Sequence, residues 1–203
     1  MIKKFAAGAL LALLLNACAY LQPEEKLPPQ PQAPGVELIK MQNGRFIAFV
    51  GQRRQHAAKF LDVDDTNYFV LRSWYDNKTG EAAHQLYIAD SYFGPPQKWY
   101  GVHDASNMTL KFIPISRNEI TCEQGCSYAD EFAAELSEDY LRAHKDGLAL
   151  IFLSSDGKNL PINVPADLVG AQLAAVETVR GIAAKNSANP PAPAAAAATP
   201  ASR

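Results

Sequence analysis

Apolar and polar residues alternate along most of this chain in short runs broken by turn residues, which is the pattern of antiparallel β-strands. Val36 to Met41 and Arg45 to Val50 flank Gln42-Asn43-Gly44, and Asn-Gly between two such runs is a strong hairpin signal. Tyr68 to Tyr75 is rich in β-branched and aromatic residues. It meets the turn Asn77-Lys78-Thr79-Gly80 and returns as His84 to Tyr92. After a break at Gly94-Pro95-Pro96, Trp99 to Asp104 and Met108 to Ile113 form a further pair around Ala105-Ser106-Asn107. Pro114 removes a ladder donor, so that strand ends there or lies at a sheet edge, with Ile115 to Cys122 as its continuation. Leu148 to Leu153 is a continuous apolar run, predicted as a buried central strand. Ser155 to Lys158 turns it back, and Leu160, Ile162 and Val164 alternate with Pro161 and Asn163 as a half-buried strand.

Two stretches carry helical signals instead. Ser137 is an N-cap candidate followed by acids in the first turn, and Gly147 suits the position just past a helix end. From Pro165 to about Lys185, Leu168, Val169, Leu173, Val176, Val179 and Ile182 recur near a 3.6-residue period and predict one long helix covering a sheet face. Gly170 and Gly181 weaken it, and no element is assigned between Cys126 and Ser137. The fold class is therefore mainly β with two helices (α+β): an antiparallel β-sandwich or curled sheet, one short helix, and a long C-terminal helix packed on it.

The ends of the chain differ from this body. Lys3 and Lys4 precede an apolar run from Phe5 to Leu15, too short for the roughly 20 residues that cross a bilayer, and this is the form of a secretory signal peptide. Leu15-Asn16-Ala17-Cys18 follows directly. With Leu at −3, Ala at −1 and Cys at +1, it resembles the lipobox of bacterial lipoproteins, Asn16 being the less common choice at −2. The resemblance implies cleavage before Cys18, lipidation of its thiol, and, with Ala rather than Asp at position 19, placement on the periplasmic face of the outer membrane. The organisation expected is a signal peptide over 1–17, a lipidated Cys18 with a Pro-rich linker over 18–34, a single β-rich domain over 35–185, and a disordered Ala/Pro-rich tail over 186–203. As polyproline II, the linker reaches about 50 Å at about 3.1 Å per residue and stands the domain off the membrane.

Charge adds an exclusion. The formal net charge is −2 and loses Lys3 and Lys4 with the leader, so nucleic acid is not an expected partner. Of three cysteines, Cys18 belongs to the anchor, leaving Cys122 and Cys126 as a pair that is oxidised outside the cytoplasm. Their Cys-x-x-x-Cys spacing occurs in copper-delivery proteins of the thioredoxin fold, but Ser127 stands where Pro usually follows and the alternating βα units are missing. A structural disulfide is favoured over a thiol-redox or metal site. The stretch from Cys122 through Ser127-Tyr128 to His144 is similar to small uncharacterised lipoproteins of Gram-negative bacteria.

His56, His84, His103 and His144 show no ligand spacing and are expected at the surface or in loops. Asp62, Asp64 and Asp65 lack the Gly and distant Glu of a calcium loop and are expected in a solvated turn, as is the basic stretch from Gln52 to His56. No nucleophile elbow, P-loop or dinucleotide fingerprint occurs. Aromatic residues crowd into the middle of the chain. Trp74 and Tyr75 must face opposite sides of their strand, and with Trp99 and Tyr100 they mark either a two-sided core or a binding surface. The function expected is a lipid-anchored, non-enzymatic binding module of the periplasm, without cofactor or metal, whose partner is an envelope protein or a glycan. The alternative is a metal-binding or thiol-redox protein using Cys122 and Cys126.

Overall fold

The structure is a computed structural model and describes residues 35–40, 44–123 and 125–188. The expected leader, Cys18 and the expected linker, and all but the first three residues of the expected tail, lie outside these residues.

The strands are β1 (Glu37–Lys40), β2 (Phe46–Val50), β3 (Arg54–Gln55), β4 (Tyr68–Asp76), β5 (Ala82–Phe93), β6 (Trp99–Asp104), β7 (Thr109–Thr121), β8 (Ser127–Leu136), β9 (Gly147–Ser154) and β10 (Asn159–Pro165). They form one curled, half-barrel sheet of antiparallel neighbours in the order β1-β2-β4-β5-β8-β7-β6-β9-β10, with β3 beside β4. The helices are α1 (Glu138–Ala143) and α2 (Ala166–Ala188). Of the two architectures the sequence leaves open, the curled sheet is the one observed.

Residue alternation assigns the faces. On β4, β5 and β8, Leu71, Leu86 and Ala134 are register partners and point inward, as do Phe69, Ile88 and Phe132. Leu150 and Phe152 of β9 and Ile162 and Val164 of β10 close the same core from the other half of the sheet. Helix α2 fills the concave side. Its Leu168 and Val169 enter this main core, whereas Ala175, Val176 and Val179 enter a second cluster with Val36, Ile47, Phe49 and Tyr75. Each buried Leu or Val among these contributes about 1.5–3 kcal/mol, so the helix is held chiefly by its apolar face. A surface ion network reinforces it: Arg180 of α2 pairs with Glu138 of α1 at 2.9 Å, and Arg142 meets both Glu138 and Glu177. Arg180, with Arg142 behind it, holds the Glu138 carboxyl down to about 2.

Local chemistry explains the ends of α1. Ser137 accepts a hydrogen bond from the Tyr140 backbone N–H at 3.1 Å, the expected N-cap. Gly147 has φ 111°, and a Cβ there would sit 3.0 Å from the Val164 carbonyl oxygen, so glycine is required.

The structure fills one unassigned stretch, resolves one open alternative and corrects one expectation. Ser127 to Leu136 is a central strand, although its Ala- and Glu-rich sequence favours helix; burial between β5 and β7 overrides that propensity. Of the two readings open at Pro114, a strand end or a sheet edge, the edge is observed, with the continuation that Ile115 to Cys122 suggested. β7 runs on to Thr121, with register shifts between Pro114 and Ser116 and between Glu119 and Thr121. It meets β6 only through Val102–Leu110 and His103–Thr109, so most of it is a sheet edge, where Pro and bulges are tolerated and discourage stray pairing. Finally, His84 is not at the surface: it is fully buried within β5.

Candidate functional site

The inner faces of β5 and β8 change character toward one end. Leu86 and Ile88 give way to Asp90 and Tyr92, and Ala134 and Phe132 give way to Asp130 and Tyr128, all in the same alternation. Asp90 and Asp130 are direct register partners, a like-charge pair across two strands that works against pairing.

The two carboxylates are treated differently. Asp130, whose side chain is 2% exposed, accepts a fork from Arg117 at 2.8 and 3.1 Å and a hydrogen bond from the Tyr92 hydroxyl at 2.9 Å. Arg117 also donates to the Gln97 carbonyl, and Tyr92 accepts from the Gln97 backbone N–H at 2.8 Å. Burial, with the Asp130 contact, pushes the Tyr92 phenol up to about 12. Asp90, whose side chain is 13% exposed, has the His56 Nε2 at 3.8 Å as its closest ion-pair partner among the described residues, and that nitrogen lies 3.0 Å from the Ala89 carbonyl oxygen. Burial, and behind it Asp130, raises the Asp90 carboxyl above its ordinary range, with His56 acting in the opposite sense.

Asp90 faces a hollow of about 290 Å³ lined by Tyr92, Gln97, Trp99, Lys158 and Asn159 together with Leu160. Lys158 Nζ lies 5.9 Å from the Tyr92 ring centroid. Trp99 packs on Phe132 at 5.1 Å and forms a wall of a second hollow, about 340 Å³, on the side of Phe112, Arg117 and Asp130. The buried Trp99 indole N–H has no acceptor among the described residues.

Neighbouring loops meet here. Gly94 N–H donates to the Cys126 carbonyl at 2.9 Å, Ser155 N–H donates to the Lys98 carbonyl at 3.0 Å, and Phe60 stacks on Phe93 at 4.7 Å. The loop carrying Phe60 holds Leu61, Asp62, Asp65 and Asn67 at φ between 52° and 60°, the left-handed region that bulky side chains avoid. Within it, Asp64 pairs with Lys59 and Asp65 with Arg53. Among the described residues, no three His, Cys, Asp or Glu side chains are placed to hold a metal ion.

Of the expected binding residues, Trp99 lines these hollows and Tyr100 is 61% exposed. Tyr75 is 3% exposed and lies in the core beneath α2, so it presents no surface. Trp74 is half-buried on the outer face, where the Arg72 guanidinium lies over it at 5.5 Å and over Tyr87 at 4.1 Å. The aromatic crowd is thus divided between core, an arginine-covered outer layer, and the Trp99 hollows. Cys122 and Cys126 are joined by a disulfide at the tip of the β7–β8 hairpin.

One further polar group sits in the core. Ser73 Oγ is 2.7 Å from His84 Nδ1, and Gln172 Nε2 donates to Ser73 Oγ at 2.7 Å and to the Phe49 carbonyl at 3.2 Å. Burial lowers the His84 pKa. All three side chains are sealed beneath α2, so this serine–histidine contact ties helix to sheet and offers no access to a substrate.

No protein-family model, curated protein or solved structure matches the chain.

Proposed function

We propose that this chain is a lipid-anchored, non-enzymatic binding module of the bacterial envelope, held through Cys18 on the periplasmic face of the outer membrane, with the end of the half-barrel around Asp90 and Trp99 as its ligand face. The observation that carries binding is the incomplete bonding of Asp90 beside a hollow walled by two aromatic rings. Asp90 is part-buried and its acceptors open onto the hollow, while the buried Trp99 indole N–H beside it has no acceptor among the described residues. Native folds bond their buried polar groups, and an exception beside a cavity marks a place where something else supplies the bond. Catalysis is disfavoured by the same geometry: Asp130 is fully engaged by Arg117 and Tyr92, leaving Asp90 without a second free carboxylate to share acid–base work. The anchor rests on the leader and on Leu15-Asn16-Ala17-Cys18. Two or three acyl chains hold a protein firmly where one does not.

Fractionation of a Gram-negative host expressing the full chain tests the anchor. The wild type is expected with the outer membrane and Cys18→Ser in the soluble fraction; membrane association unchanged in that variant contradicts it.

A further inference from the structure

We infer that the hollow between Asp90 and Trp99 takes a neutral saccharide, an inference that rests on reading this end of the sheet as the ligand face. The hollow offers one carboxylate, Asp90, one ammonium, Lys158, and the amides of Gln97 and Asn159. The neighbouring Asp130 is already matched by Arg117. An anion would meet Asp90, and a cation would meet Lys158. A neutral ligand rich in hydroxyls avoids both conflicts, because each hydroxyl donates to a carboxylate and accepts from an ammonium or amide. Asp90 has its hydrogen-bond acceptors unspent, its nearest partner being His56 at 3.8 Å. Lys158 is held loosely, with Asp156 at 3.9 Å. Both can turn to a ligand without losing a strong contact.

The walls fit the same class. Trp99 and Tyr92 border the hollow, and amphipathic aromatic rings provide flat apolar surface for the C–H faces of a sugar ring while leaving polar edges for its hydroxyls. At about 290 Å³ the hollow stands at the lower limit of the about 300–1,000 Å³ typical of small-molecule sites, which suits one or two sugar rings better than a folded partner.

Trp99 is itself the reporter. The chain has two tryptophans, and Trp74 lies on the outer face, so a Trp74→Phe variant leaves emission from Trp99 alone. The full-length protein, extracted in a polyoxyethylene detergent that carries no sugar, would be titrated to millimolar concentration with glucose, galactose, N-acetylglucosamine and the β-1,4-linked trimers of glucose and N-acetylglucosamine. Spermidine and inorganic phosphate serve as charged probes. A saturable change in Trp99 emission with at least one neutral sugar is expected, and none with the charged probes. Asp90→Ala is expected to weaken that binding at least about tenfold, the effect of losing hydrogen bonds to a charged acceptor. Lys158→Ala, an exposed change, is expected to weaken it less and guards against a folding defect in the first variant. No saturable change with any sugar, a saturable change with spermidine or phosphate instead, or sugar binding untouched by both variants would overturn the inference. Membrane association of the same protein is read separately, so failure of sugar binding and failure of the anchor are distinct results.

Discussion

Asp90, part-buried, and Asp104, buried, are both aspartates beside a hollow, and the fold treats them oppositely. Asp104 accepts from the Ser106 N–H at 2.8 Å, the Ser106 hydroxyl at 2.7 Å, the Met108 N–H at 2.9 Å and the Tyr140 hydroxyl at 3.3 Å. The Ser106 hydroxyl leads these contacts in holding its carboxyl below the ordinary range, against the effect of burial. Asp90 has His56 at 3.8 Å and a carboxyl raised by burial. The hollow beside Asp104, about 500 Å³, is larger than the one beside Asp90. The Asp104 carboxylate spends its capacity on shaping the β6–β7 turn, whereas Asp90 keeps its capacity unspent. Stability is expected to fall when Asp104 is changed and not when Asp90 is, the usual separation between a structural polar group and a functional one.

The largest effect is expected from Arg117→Ala. It strips the partner from a carboxylate buried in the sheet, and breaking such a pair costs about 3 kcal/mol after discounting for the partly exposed guanidinium. Urea unfolding would measure it, and a loss well below 1 kcal/mol would show that Asp130 needs no compensation and weaken the contrast with Asp90. Next comes Asp104→Asn, a loss of stability near neutral pH, because the donors around it lose a charged acceptor. Since the folded pKa of Asp104 lies below 3.8, its contribution is full above 3.8 and is lost as pH falls through the folded value. The gap between wild type and variant should close in acid; a gap independent of pH would assign the loss to packing instead. Replacing Cys122 and Cys126 by Ser is expected to cost at most about 2 kcal/mol, the entropy of so short a loop, and to leave ligand binding intact. Loss of binding in that double variant would move the functional centre to the disulfide tip.

The smallest effect concerns His84. It is neutral in the fold, its pKa lowered by burial, and protonates at about 6.5 once unfolded. Stability should therefore fall as pH drops below 6.5, by at most about 1.4 kcal/mol per pH unit, and His84→Gln should flatten that slope. A slope unchanged in the variant would assign it to another group.

Much of the fold was legible in the alternation. The strands flanking Asn43-Gly44 and Lys78-Thr79-Gly80, the helix after Pro165 and the Ser137 cap all follow from local chemistry, which the structure respects. The strand from Ser127 to Leu136 was not, because Ala133, Ala134 and Glu135 carry a helical preference that only burial between two neighbours outweighs. Missing that strand hides the site, since Asp130 becomes the partner of Asp90 only through the β5–β8 register. A signal was present nonetheless. Asp90 occupies the phase of Leu86 and Ile88, an acid where the alternation calls for a core residue. Trp99 was singled out from the sequence, and the structure places it on the wall of two hollows. Tyr75 was not distinguishable from it, because alternation says that two adjacent aromatics face opposite ways but not which of the faces a helix will cover.

The contrast between the two aspartates is tested most directly by urea unfolding of Asp90→Asn beside the wild type across pH. Asp90 has a folded pKa above 3.8, so the fold favours its protonated form; that contribution is full below 3.8 and is lost as pH rises through the folded pKa. The variant is expected to match or exceed the wild type at pH 7, by up to about 1 kcal/mol, with the gain vanishing in acid. A loss of about 1 kcal/mol or more at pH 7, in the direction expected for Asp104→Asn, would show that Asp90 is a structural carboxylate and would contradict the account.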